Sequence, residues 1–117
     1  MAKEVIKIYH NPRCSKSREA LAILEENGCK VNVVEYLKTP PDYNEIKDLL
    51  VRLNLKPQQI IRTGESLFKE KYKNKNFGDE EWIKILSENP ILIERPIIVR
   101  KNKAIIGRPP QLVVDLL

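Results

Sequence analysis

Thiols and imidazoles are scarce in this sequence, with two cysteines and one histidine among 117 residues. That is too few for a closed four-ligand zinc site of Cys and His, so no metal site is expected. A single disulfide would be a thin framework for a domain of this size, and reduced thiols in a cytosol fit better than a cross-linked secreted scaffold. Long apolar runs are missing too, so nothing is expected to span or enter a membrane. The opening residues 1–9 are too short and too charged (Lys3, Glu4, Lys7) for a signal peptide, and a cytoplasmic location is expected. Aromatics make up only 6% of the chain. None forms a stacking platform in the lysine-rich run 69–75 (KEKYKNK), which reads as a solvated face, and no nucleic-acid partner is expected. Repeats, linkers and low-complexity tracts are absent as well.

What is present is enough for one core: 42% apolar residues and a net charge of +5. The length suits one domain over 1–117, and the charge favours anionic partners without naming one. Val5, Ile6, Ile8 and Tyr9 form a β-prone run, ended by His10-Asn11-Pro12. The spacing of Ala20, Leu21 and Leu24 then predicts a helix over 15–27 with Gly28 as its stop. VNVVEY at 31–36 is a second strand, making a parallel βαβ unit. After Thr39-Pro40-Pro41 the apolar residues Ile46, Leu49, Leu50 and Leu53 recur at helical spacing. Residues 56–62 and 66–72 look like short helical pieces, and Asp79 looks like the N-cap of a helix carrying Trp82, Ile85 and Leu86. Two short strands at 97–100 and 104–106 flank a tight turn, and Pro109 opens a last helix. The order βαβ, helices, ββα predicts a thioredoxin-like mixed sheet with a helical insertion at about 40–90, an analogy of fold that carries no function alone.

The chemistry concentrates at Cys14, which follows the first strand and directly precedes the first helix. The N–H groups of Ser15, Lys16 and Ser17 should converge on its sulfur, and the positive helix end favours thiolate. Arg13, Lys16 and Arg18 add positive charge. The polar loop around it is no setting for a passive buried cysteine, whereas Cys29, in a helix-ending turn, is read as passive. Ser17 stands where a C-x-x-C dithiol would need its second cysteine, so an external thiol must complete any redox cycle. Ala20 stands where the C-x5-R loop of tyrosine phosphatases needs arginine, which excludes that chemistry. Arg62, Arg95 and Arg108 are candidate anion ligands, since guanidinium forks match the oxygen pairs of an oxyanion, and the last two each precede a proline that favours extended backbone. Pro96 starts the third strand, where a thioredoxin-type sheet characteristically holds a cis proline facing the reactive cysteine.

Four separated segments, YHNPRCSKSREAL, YLKTPP, NPILIERPIIV and IGRPP, resemble the glutaredoxin-coupled arsenate reductase family over essentially the whole chain. The resemblance implies a thioredoxin-like fold with a helical insertion and a covalent adduct of arsenate, or a related oxyanion, on Cys14. Glutathione as co-substrate and glutaredoxin as partner would then release arsenite, with no bound cofactor. It implies oxyanion binding by Arg62, Arg95 and Arg108, and supporting places for the loop histidine His10, for Ser17 and for Pro96. The chain departs from well-studied members at Ser15-Lys16, where they carry Gly-Thr. A second related group, the Spx-type regulators that bind RNA polymerase, implies instead a binding or regulatory protein without arsenate turnover. It generally carries C-x-x-C, which Ser17 interrupts here.

Overall fold

Alternation in the first strand sorts its residues onto two faces, and this sets the sheet. In the computed structural model, which describes residues 5–117, β1 (Val5–His10) buries Ile6 and Ile8 on one face. The charged opening with Lys3 and Glu4 lies outside the described residues. After a turn at Pro12-Arg13, α1 (Ser15–Glu26) buries Ser17, Ala20 and Leu24. It stops where Gly28 takes φ 72°, with Gly28 N–H donating to Glu25 C=O and Cys29 N–H to Leu24 C=O. Those two bonds satisfy helix-end carbonyls, and the left-handed backbone they need suits glycine. β2 (Lys30–Glu35) then pairs parallel with β1, Val5 opposite Lys30 through His10 opposite Glu35.

The chain forms two compact units, one made of the described residues up to Thr39 with Arg95–Leu117, the other of Pro40–Glu94. In the second, α2 (Tyr43–Leu53) is capped by Asp42, whose carboxylate accepts the Glu45 N–H at 2.9 Å. Its Ile46, Leu49 and Leu50 are buried, and it packs on α4 (Asp79–Glu88). Between them lie a 3-10 turn, Pro57–Ile60, and the short α3 (Ser66–Lys71). Trp82 of α4 is ringed by Phe68, Tyr72 and Phe77 at centroid distances of 6.4, 6.2 and 5.1 Å. These offset and edge-on contacts tie the connecting segment down, while Lys69, Lys71, Lys73 and Lys75 are exposed.

In the first unit, β3 (Ile97–Arg100) and β4 (Lys103–Ile106) form a hairpin whose turn has Lys101 at φ 53°. The sheet order is β2-β1-β3-β4, with β3 antiparallel to both β1 and β4. This is the expected thioredoxin-like mixed sheet. Ile6, Ile8, Ala20, Leu24, Ile98, Val113 and Leu116 make one buried cluster that joins sheet, α1 and the closing 3-10 segment Pro110–Leu116. Among the described residues no helix is long and apolar enough to cross a membrane.

Three local expectations differ from the fold. The last element is 3-10, opened by Pro110 with Pro109 as its extended N-cap. Gly78, not Asp79, caps α4; Asp79, Glu80 and Glu81 lie inside its first turn, where their charges complement the positive helix end. Over 56–62 only Pro57–Ile60 is helical, because Ile61 leaves to form an antiparallel bridge with Ile93.

Candidate active site around Cys14

Cys14 is the N-cap of α1, with extended backbone at φ −95° and ψ 121°. The loop that delivers it is closed by short hydrogen bonds. Asn11 accepts the Cys14 N–H on its carbonyl at 3.0 Å and the Arg13 N–H on Oδ1 at 3.0 Å. Its own N–H donates to Ser17 Oγ at 3.1 Å. Arg18 Nη1 donates to the Pro12 carbonyl at 2.9 Å from the next turn of the helix. Neither Asn11 nor Arg18 was singled out for this clamp, although Asn-Pro is a turn signal. The sulfur itself makes no capping hydrogen bond, so the expected convergence of helix amides on it is not realised as a cap; a thiol sulfur is a weak acceptor. The first helical bond runs from Arg18 N–H to Cys14 C=O, so the N–H groups of Ser15, Lys16 and Ser17 precede the intrahelical ladder. Cys14 is buried at 8% accessibility.

Ser17 is fully buried, and its Oγ lies 2.7 Å from His10 Nδ1. His10 ends β1 and is itself buried. Burial holds its pKa below the ordinary 6.5; Glu35 pushes it up and Arg18 down as smaller effects. With a neutral ring, the arrangement that satisfies both side chains has the Ser17 hydroxyl donating to Nδ1, which leaves the ring proton on Nε2, a tautomer assigned from the network. The pair spans the cysteine loop, joining the end of the strand to the first turn of the helix.

A pH dependence follows from His10. Unfolded, the ring binds a proton near 6.5, and folded it binds one only at lower pH. The stabilisation from the neutral ring is therefore complete above the unfolded value and lost as pH falls through the folded one. The melting temperature should fall as pH is lowered below about 6.5, and His10→Asn should flatten that part of the curve. An equal slope in the variant would show that His10 is not the titrating group.

The register brings two of the three arginines to the same end of the sheet as this loop. Tyr9 lies opposite Ile97 and Ile97 opposite Ile106, so the residues just before β3 and just after β4 flank the end of β1 that runs into His10 and Cys14. Arg95 and Pro96 are joined by a cis bond, as are Arg108 and Pro109. Gly107 N–H donates to the Pro96 carbonyl at 2.9 Å, and Arg108 Nη1 to the Arg95 carbonyl at 3.3 Å. Gly107 has no room for a side chain: a Cβ there would stand 2.9 Å from Ile98 Cδ1 and 3.1 Å from Pro96 Cγ. Arg95 is half-buried and Arg108 exposed.

Arg62 belongs to the helical unit. Its N–H donates to the Leu92 carbonyl at 2.7 Å beside the Ile61–Ile93 bridge. Its Nη1 meets Glu65 Oε1 at 2.8 Å and its Nε lies 3.7 Å from Glu94 Oε1. These two acidic partners were not foreseen.

A model of the ArsC family matches residues 9–115. The chain belongs to the ArsC family. An arsenate reductase of Neisseria meningitidis is 45% identical over 89% of this chain and 91% of its own length. The Escherichia coli protein YfgD is 47% identical over 99% and 98%. Among solved structures, an arsenate reductase from Vibrio cholerae superposes with a TM-score of 0.95 at 41% identity, covering 99% of this chain and all of its own. The ArsC match spans the cysteine loop and both arginine–proline segments. Among the described residues of this ArsC-family chain, no group of three or more His, Cys, Asp or Glu side chains is placed to hold a metal ion.

Proposed function

We propose that this chain reduces arsenate to arsenite, with Cys14 as the nucleophile and glutathione and glutaredoxin as electron donors. The observation that carries the reading is the meeting, at one end of the sheet, of the Cys14 loop with Arg95–Pro96 and Gly107–Arg108. Relatives named arsenate reductase, 45% and 41% identical, support it. In this scheme the Cys14 thiolate attacks arsenic and displaces an arsenate oxygen as water. A glutathione thiol then adds to arsenic with loss of a second water, and the glutaredoxin thiol removes that glutathione as a mixed disulfide, leaving two electrons on arsenic. A water cleaves the Cys14–arsenic bond to free arsenite and the Cys14 thiol, and a second glutathione releases glutaredoxin as glutathione disulfide. The net change is arsenate plus two glutathione to arsenite, glutathione disulfide and one water. Arg95 and Arg108 offset the oxyanion charge, the amides at the start of α1 add donors, and Arg62, in the helical unit, is read as an oxyanion ligand in its own right. His10, Ser17 and Pro96 shape the loop rather than react. Ser17 holds the second position of a would-be C-x-x-C, and its bond to His10 favours a monothiol cycle over a dithiol switch. No bound cofactor or metal is required. The setting is cytoplasmic, where glutathione keeps Cys14 and Cys29 reduced.

Arsenate-dependent NADPH oxidation, coupled through glutaredoxin, glutathione and glutathione reductase, tests this reading. A rate that depends on all three and on arsenate is expected; no rate above the enzyme-free mixture would overturn it.

A further inference from the structure

The acidic partners of Arg62 are a product of local structure. The bridge between Ile61 and Ile93 sets Arg62 opposite Leu92 and Glu94 opposite Ile60, so Arg62 and Glu94 stand diagonally across adjoining segments, with Glu94 N–H donating to the Ile60 carbonyl at 2.8 Å. Ile60, Ile61, Leu92 and Ile93 are all buried, so the bridge is firmly held. The tetrapeptide Arg62-Thr63-Gly64-Glu65 then turns back, Glu65 N–H donating to the Arg62 carbonyl at 3.1 Å. That turn returns the Glu65 carboxylate to the guanidinium. The side chains of Arg62, Glu65 and Glu94 are 23%, 25% and 26% exposed, so these pairs are less screened than fully solvated ones.

We propose that Glu65 and Glu94 set the anion affinity of Arg62, as competing anions that occupy its guanidinium until a tetrahedral oxyanion displaces them. The proposal rests on the reading that Arg62 binds the oxyanion, and deepens it. Two carboxylates on one guanidinium leave the trio with a net negative charge. An arriving oxyanion must outbid a charge-assisted hydrogen bond already formed at 2.8 Å. The carboxylates also repel an arriving oxyanion, so they lower the affinity of the guanidinium for it. Removing one carboxylate charge should therefore strengthen anion binding, which is opposite in sign to the effect of breaking a merely structural contact.

Titration of the full-length protein with inorganic phosphate and with arsenate, followed by amide chemical shifts, reads this directly. Glu65→Gln should tighten both about three- to tenfold, and Glu94→Gln, whose pair is longer, by less. The gain should vanish in an Arg62→Gln background, which by itself weakens binding. Unchanged or weaker binding in both Glu→Gln variants, or a gain that persists without Arg62, overturns the proposal. Glu94→Gln keeps the test open should Glu65→Gln fail to fold. If Arg62→Gln binds like the parent while Arg95→Gln is weakened, the reductase reading stands and this inference falls. If the parent binds neither anion, both fall.

Discussion

Cys14→Ser is expected to abolish arsenate reduction, lowering the coupled rate by at least about 10³-fold, because a serine hydroxyl without an adjacent base is a far weaker nucleophile than a thiolate. The replacement is nearly isosteric, and the side chain makes no capping hydrogen bond that could be lost. The loop is held by Asn11, Arg18 and the His10–Ser17 pair, none of which the substitution touches. Stability should therefore stay within about 0.5 kcal/mol of the parent, and the lost rate should report chemistry. Cys29→Ser is the matched control: Cys29 lies at the helix-ending turn, packed against the edge of the buried cluster, and its replacement should leave the rate near that of the parent. Residual activity within about tenfold in Cys14→Ser, on the scale of a single supporting interaction, would sink the covalent mechanism. Loss in Cys29→Ser alone would transfer the role.

Leu24→Ala should be the most damaging of the simple core truncations in the first unit, costing about 3 kcal/mol. Leu24 is fully buried on the face of α1 that carries Ala20, in the cluster with Ile6, Ile8, Ile98 and Val113. Three elements far apart in sequence meet at this side chain, so no single segment can relax to fill the space it leaves. Its carbonyl also accepts the Cys29 N–H that closes the helix end, a backbone bond the substitution spares. Urea or thermal unfolding should show a fall in melting temperature of about 10–15 °C, with the denaturant dependence unchanged. A loss under about 1 kcal/mol would mean that the cluster collapses around the cavity and is not closely packed.

How far each feature could be read from the chain depends on whether its cause is local. Cys14 at a helix start needs only a β-prone run, a polar loop with Asn-Pro, and an amphipathic helix, all within 5–28. The helix stop at Gly28 and the cap at Asp42 are likewise short-range hydrogen-bond problems that residue type settles. Ser17 in place of a second thiol is a matter of identity alone. The 3-10 form of Pro110–Leu116 was not legible, because helical spacing over so few residues does not separate the two helix types.

The distant groups had to wait for the tertiary structure. Arg95 and Arg108 are hydrogen-bonded neighbours because β1, β3 and β4 pair in one register, and pairing between remote strands is decided by burial of Ile8, Ile97 and Ile98 together, not by any property of the arginines. The lack of space at Gly107 has the same origin, since Pro96 and Ile98 at the start of β3 and Val113 of the closing 3-10 segment meet there. Arg62 shows the contrast within a single side chain. Its guanidinium is evident in the sequence, but its pairing with Glu94 depends on a bridge between two buried isoleucines that brings the two segments together. Sequence alone thus determined where the cysteine, the histidine and the arginines stand along the chain and relative to the strands, helix start and prolines. Strand register and bridge pairing decided which of them share surroundings, because those contacts form only when the apolar side chains between them are buried together.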